Sequence, residues 1–171
     1  MMLKEKALNI KAVILDIDGV LTDGSIGYSQ NSDEIKFFNV KDGLAISLAL
    51  QNGIKVGILS GRSSKANKIR AEELKLSFFY EGEKDKGRGF DKILSEQNLQ
   101  PFECMYVGDD IIDIPPMKKA GISVAVGDAV EELDSFCTFR TKEFGGKGAV
   151  REAIVWLLKE KDLWKNILQK Y

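Results

Sequence analysis

Residues 12–24 read Ala12-Val13-Ile14-Leu15-Asp16-Ile17-Asp18-Gly19-Val20-Leu21-Thr22-Asp23-Gly24, four apolar residues that run into carboxylates and glycines. A short apolar run bounded by turn residues predicts a strand buried on both faces, as in the interior of a parallel sheet. Asp16 and Asp18, two positions apart, point the same way on an extended backbone, and without a cation one of them must protonate. A divalent metal removes that conflict. The same letters also fit a polar strand end that caps a turn through Gly19 and Gly24.

Outward from this stretch the pattern repeats. Residues 54–59, 77–80, 103–107 and 122–126 read as further strands, and 44–51, 63–74, 89–97 and 115–120 as helices between them. Alternating β and α elements predict one α/β domain over residues 1–171, a doubly wound, mostly parallel, Rossmann-like sheet covered on both faces. In such sheets ligands sit beyond the carboxyl ends of the strands. The first crossover is interrupted by two short alternating runs within 25–39, predicting a β-hairpin whose Ile26, Tyr28, Ile35, Phe37 and Phe38 need something to pack on.

The polar residues at the strand ends supply the chemistry. The strand before Gly108 leads into Asp109-Asp110-Ile111-Ile112-Asp113, and a strand lying beside the first would bring Asp109 near Asp16. Oxygen ligands from two adjacent strand ends suit Mg²⁺. Asp110 or Asp113 also fits the N-cap of the helix helped by Pro115. Ser60-Gly61-Arg62-Ser63-Ser64 reads either as an anion cradle at a helix start or as a helix capped by Ser63 or Ser64. Past the third strand, Lys84 and Lys86 are both able to neutralise crowded carboxylates and a phosphate; Lys86 is preferred because it begins the next helix.

Composition narrows the choices. The 171 residues include no histidine, which removes histidine triads, histidine-zinc sites and every imidazole base. A net charge of -1 offers no broad field for nucleic acid or an anionic membrane, so any anion site is local. No signal peptide or membrane span is expected, and Cys104 and Cys137, each in an apolar run that reads as strand, suggest a reducing cytoplasm.

Together these segments resemble the haloacid dehalogenase superfamily, with Asp16 to Gly24, Ser60, Lys86 and Gly108 to Asp113 in the places of its four motifs. Within it, the chain is similar to small phosphatases that lack a large cap domain and carry a hairpin instead. That closer likeness rests on Asp18-Gly19-Val20-Leu21-Thr22-Asp23-Gly24, the hairpin, Val40-Lys41-Asp42-Gly43-Leu44, and Gly145-Gly146-Lys147-Gly148-Ala149-Val150-Arg151-Glu152.

The resemblance implies an Mg²⁺-dependent phosphatase of a small acidic sugar phosphate, either an eight-carbon sugar acid or a nonulosonate 9-phosphate. It implies Asp16 as nucleophile and Asp18 as acid and base, with Mg²⁺ held by Asp16, Asp109 and the carbonyl of Asp18. Ser60 and Lys86 would hold the phosphoryl oxygens, and Asp110 and Asp113 would support the metal from outside its ligands. Gly61, Arg62, Lys147 and Arg151 would meet the substrate. It further implies a homotetramer joined through the hairpins, and a C-terminal tail over 145–171, carrying Arg151, that closes over a site of its own chain or of a neighbour.

A nucleotide-binding reading of Gly145-Gly146-Lys147-Gly148 fails, because no Ser or Thr follows the lysine and no spaced glycine precedes it. A noncatalytic module, such as a receiver domain that accepts phosphate on aspartate, shares the clustered acids and the lysine, but Asp18 would shorten the life of its phosphoaspartate.

Overall fold

A computed structural model describes residues 3–171. Six parallel strands form the central sheet: β1 (Ala12–Leu15), β4 (Lys55–Leu59), β5 (Phe78–Tyr80), β6 (Cys104–Gly108), β7 (Ile122–Ala125) and β8 (Phe139–Arg140), in the order β5-β4-β1-β6-β7-β8. β2 (Gly27–Tyr28) and β3 (Glu34–Ile35) form a separate antiparallel pair. The helices are α1 (Leu3–Asn9), α2 (Val40–Gln51), α3 (Lys65–Glu73), α4 (Lys86–Gln97), α5 (Ile114–Lys119), α6 (Ala149–Glu160) and α7 (Trp164–Leu168).

All four residues of β1 are buried, as their unbroken apolar run requires. Side chains alternate between the faces. Val13 and Leu15 join Val56, Ile58, Met105 and Val107 under α2 and α6, whereas Ala12 and Ile14 join Leu59 and Tyr106 under α4 and α5. The result is a three-layer sandwich with β1 at its centre. Leu15 pairs with Ile58 on one side and Val107 on the other, so Asp16, Ser60 and Asp109 emerge from three neighbouring strand ends.

The structure modifies several expectations. α2 starts at Val40 instead of residue 44, because the Asn39 side chain accepts a hydrogen bond from Lys41 N at 2.8 Å and caps the helix. α4 starts at Lys86, as the choice of that lysine expects and three residues before the periodic run 89–97: Asp85 caps it by accepting from Arg88 N at 3.0 Å, which overrides the poor propensity of Gly87 and Gly89. The short elements α1, α7 and β8 were not expected. Cys104 is the buried first residue of β6, while Cys137 lies partly exposed in the turn before β8 and not within a strand.

The hairpin is smaller than its sequence suggested. Only Gly27–Tyr28 and Glu34–Ile35 pair, around a turn in which Ser29 Oγ accepts from Asn31 N and Asp33 N. Phe38 packs on the core with the Arg70 guanidinium 5.5 Å from its ring centre, but Tyr28 and Phe37 stand 65% and 77% exposed.

The C-terminal part packs on the core. α6 packs along α2 as a wall of the core, and the buried Asp42 carboxylate accepts from Arg151 N at 2.7 Å, so that α2 caps the start of α6. The glycine turn before α6 lies on the β1 loop of its own chain, Gly146 N donating to Val20 O at 2.9 Å. Close contact demands glycine there, since a Cβ on Gly145 would come 1.8 Å from Gly19 O. Among the described residues, no helix is long and apolar enough to cross a membrane.

Candidate active site

The loop after β1 holds the first two carboxylates in place by internal bonds. Buried Thr22 accepts from Gly19 N and Gly24 N through Oγ1 and donates to Ile17 O, tying the loop back to the strand end. Gly19 adopts φ +86°, and a Cβ there would lie 2.0 Å from Asp109 Oδ2. The missing side chain is what lets Asp109 approach Asp16.

Asp16, Asp109 and Asp113 each place a carboxylate oxygen within 4.8 Å of the others, so the structure brings together the acids that the sequence separates by more than ninety residues. Burial pushes the Asp16 carboxyl up to about 6, with Asp113 adding to the rise and Lys86 opposing it. Burial also pushes Asp109 up to about 8, helped by the charges of Asp16 and Asp113. Two carboxylates that resist ionisation in the absence of a cation form a site that gains by binding one.

Asp113 is not placed as a direct ligand. Its Oδ2 accepts from Asp109 N and Asp110 N, and its Oδ1 accepts from Tyr106 Oη and Lys86 Nζ, both at 2.6 Å. With both oxygens engaged, it orients the cluster from behind. Asp110 lies on the outer side, capping a 3₁₀ turn by accepting from Ile111 N, and it lines the pocket. The Asp18 side chain pairs with Lys36 on the wall of the same pocket and does not join the three-acid cluster, while its main-chain carbonyl accepts no hydrogen bond among the described residues. A hard divalent cation thus has two carboxylates and one carbonyl as candidate donors.

Lys86 is buried, its Nζ 2.7 Å from Asp16 Oδ2 and 2.6 Å from Asp113 Oδ1, while Lys84 is exposed. Burial alone would lower the Lys86 pKa, but its two carboxylate partners outweigh that and raise it. Ser60 is buried at the end of β4, its Oγ accepting from Arg62 N and donating to Arg62 O. Of the two candidate caps for α3, Ser64 is the one used, accepting from Asn67 N at 3.2 Å. The cap uses only Asn67 N, and Gly61 N in the turn after Ser60 makes no hydrogen bond among the described residues, so it is left as an anion donor on the pocket wall.

These residues surround one pocket of about 240 Å³, lined by Asp16, Asp18, Ser60, Gly61, Arg62 and Asp109 among others. Lys147 and Arg151 are not brought to it. They line a separate cavity with Lys41 and Lys142, and Lys147 Nζ lies 3.5 Å from Asp23.

Sequence reasoning passed over Lys36, Glu34 and Tyr106. Lys36 has a fully buried side chain with Nζ 2.6 Å from Asp18 Oδ1, and Glu34 pairs with the Arg62 guanidinium. A lone cation in the apolar run Ile35-Lys36-Phe37-Phe38 was the available clue for the first. For Tyr106, the clue was a hydroxyl in the middle of a strand with no exposed face.

Residues 38–121 match the haloacid dehalogenase-like hydrolase family. The chain is similar to 3-deoxy-D-manno-octulosonate 8-phosphate phosphatase KdsC of Escherichia coli K12, 44% identical over 153 residues that cover 90% of this chain and 81% of that protein. Its fold is similar to that of the Moraxella catarrhalis 3-deoxy-D-manno-octulosonate 8-phosphate phosphatase in complex with magnesium ion, phosphate ion and a KDO molecule, with a TM-score of 0.94, 33% identity, and coverage of 98% of this chain and 96% of that one. The cobalt-bound phosphatase YrbI of Haemophilus influenzae superposes with a TM-score of 0.90 at 35% identity, covering 93% of each chain. The motif order, the acidic cluster and these likenesses coincide: the chain belongs to the haloacid dehalogenase-like hydrolases and is a phosphoric monoester hydrolase.

Proposed function

We propose that the chain hydrolyses 3-deoxy-D-manno-octulosonate 8-phosphate to the free sugar acid and phosphate, using Mg²⁺ and an aspartyl-phosphate intermediate on Asp16. The observation that carries this reading is the setting of Asp16: buried at a strand end, between Lys86 and Asp109, on the wall of a pocket that also holds Ser60 and Arg62. The 44% identity to KdsC and the Moraxella complex point to the substrate.

Asp16, Asp109 and the Asp18 carbonyl would hold Mg²⁺, with Asp113 orienting the assembly. When bound, the ion offsets the repulsion between an anionic nucleophile and an anionic phosphate. At about 4 Å and an effective dielectric near 20, one such repulsion is roughly 4 kcal/mol, or about three decades of rate.

Asp16 Oδ attacks phosphorus as the bond from phosphorus to the sugar oxygen breaks, and Asp18 donates a proton to that oxygen. Asp18 then takes a proton from water, whose oxygen attacks phosphorus and frees Asp16. Lys86, Ser60 and Gly61 N would bind the transferring oxygens, where charge stabilisation is the protein's main contribution. Arg62, 49% exposed on the pocket wall, is suited to the sugar carboxylate.

The exposed Tyr28, Phe37 and Val40 support assembly through the hairpins into a homotetramer, and the free thiols of Cys104 and Cys137 accord with a reducing cytoplasm. The test is a phosphate-release screen over sugar-acid phosphates with Mg²⁺ and with chelator. Metal-dependent preference for the eight-carbon acid supports the reading. Preference for a nonulosonate 9-phosphate would replace the substrate, and absence of any turnover would remove the catalytic reading.

A further inference from the structure

The return strand of the hairpin delivers one side chain into the active site. Lys36 directly follows β3, its side chain is fully buried, and its Nζ donates to Asp18 Oδ1 at 2.6 Å. On the same side, Glu34 lies 3.7 Å from Lys36 Nζ through Oε2 and pairs with Arg62 through Oε1, while Arg62 Nε stands 3.7 Å from Asp18 Oδ2. Asp18, Lys36, Glu34 and Arg62 thus form a closed ring of alternating charges at the wall of the pocket.

The two oxygens of Asp18 are held unequally. Oδ1 has a short hydrogen bond to an ammonium group that is itself walled in, whereas Oδ2 has none, since 3.7 Å from Arg62 exceeds hydrogen-bond reach. Burying a lysine is costly unless it is paired, and here the partner is the carboxylate proposed to exchange protons with the leaving oxygen and water. Such exchange requires the carboxylate to be held within a few tenths of an ångström of the reacting atoms, by groups that are themselves locked in place.

We infer that Lys36 is a positioning residue. By tying down Oδ1 it fixes the rotamer of Asp18 and leaves Oδ2 to transfer the proton, so that the seating of the hairpin governs the acid-base half of the reaction without touching phosphorus. This rests on the role proposed above for Asp18, and the test separates the two.

The experiment compares single-turnover release of the leaving group from a sugar phosphate, whose alkoxide must be protonated, and from p-nitrophenyl phosphate, whose phenolate departs unaided. With Lys36→Met, release from the sugar phosphate should fall by roughly tenfold to a hundredfold, part of the ~10²- to 10⁴-fold of general acid catalysis. Release from the aryl phosphate should fall by less than about threefold, because only the former needs the positioned acid. KM and inhibition by inorganic phosphate should stay near wild type. Lys36→Arg should recover part of the loss, and Lys36→Gln should not.

Equal losses on both esters, no loss, or a change in KM alone would overturn the inference. Unfolding of both the Met and Gln variants would do the same by showing a purely structural lysine. Asp18→Asn is the control: if it shows no preference for the aryl ester, the Asp18 assignment fails; if it does and the Lys36 variants do not, Lys36 alone is wrongly assigned.

Discussion

Lys86 Nζ lies 2.7 Å from Asp16 Oδ2, with the lysine from the first turn of α4 and the aspartate from the end of β1. Both are buried, and the lysine also holds Asp113. A buried ion pair of this kind contributes little net stability by itself, yet removing one member leaves an uncompensated charge. Its value here is placement: it holds the nucleophilic oxygen beside the group that would meet the phosphate.

Asp16→Asn is expected to bring phosphatase activity down by at least about a thousandfold, since the amide supplies neither the attacking oxygen nor a carboxylate to hold the metal, whose offset of the phosphate's charge is worth about three decades of rate. The assembly state, measured by light scattering, should be unchanged, because Asp16 lies inside a single chain. Substantial turnover in this variant would reject the nucleophile.

The raised Asp109 and Asp16 carboxyls set a pH dependence for the metal-free protein. Each binds its proton more tightly folded than unfolded, so its contribution to stability is fully present below about pH 4 and is lost as pH rises towards 6 for Asp16 and 8 for Asp109. With chelator, the melting temperature should lose several degrees across that window relative to Asp109→Asn, each kcal/mol being ~2–4 °C for a chain of this length. Mg²⁺ should cancel the loss and release protons on binding. A chelated wild type whose melting temperature tracks the variant from pH 4 to 8 would contradict the crowding.

Tyr106→Phe removes the hydroxyl that donates to Asp113 Oδ1 at 2.6 Å inside the core. Loss of a buried hydrogen bond to a charged acceptor should cost about 1.5–3 kcal/mol in denaturant unfolding. Because Asp113 orients Asp109 N and Lys86, Mg²⁺ affinity should weaken by about tenfold or more. Unchanged metal titration would confine Tyr106 to stability.

Gly145→Ala tests the seating of the glycine turn on the catalytic loop. The added methyl would meet Gly19 O at 1.8 Å, a main-chain atom that cannot swing aside. Overpacking of this sort costs about 1–3 kcal/mol, and the shift should pass through Gly19 to Asp109, lowering activity and melting temperature together. A variant as stable and active as wild type would show that the loop yields freely.

Much of the molecule was readable from local pattern. The apolar strands, the α/β alternation and the acids just beyond β1 and β6 follow from periodicity and burial, which act over a few residues. Boundaries failed where a side chain some distance from the apolar run did the capping, as Asn39 does for α2. Short elements such as β8 carry too few residues for periodicity to show. Lys147 and Arg151, which the resemblance sets beside the substrate, line another cavity of their own chain, a placement that follows from the packing of α6 on α2 and that no local pattern contains.

By itself the sequence determined which residue types are available and in what order they meet the strand ends: no imidazole, five carboxylates in two clusters, a serine and a pair of lysines. Only tertiary structure decided that Asp109 reaches Asp16, that Lys86 and not Lys84 is enclosed, and that Lys36 grips Asp18. The physical reason is distance along the chain. Convergence of groups so widely separated depends on sheet order and on close approaches such as that at Gly19, which no local window contains.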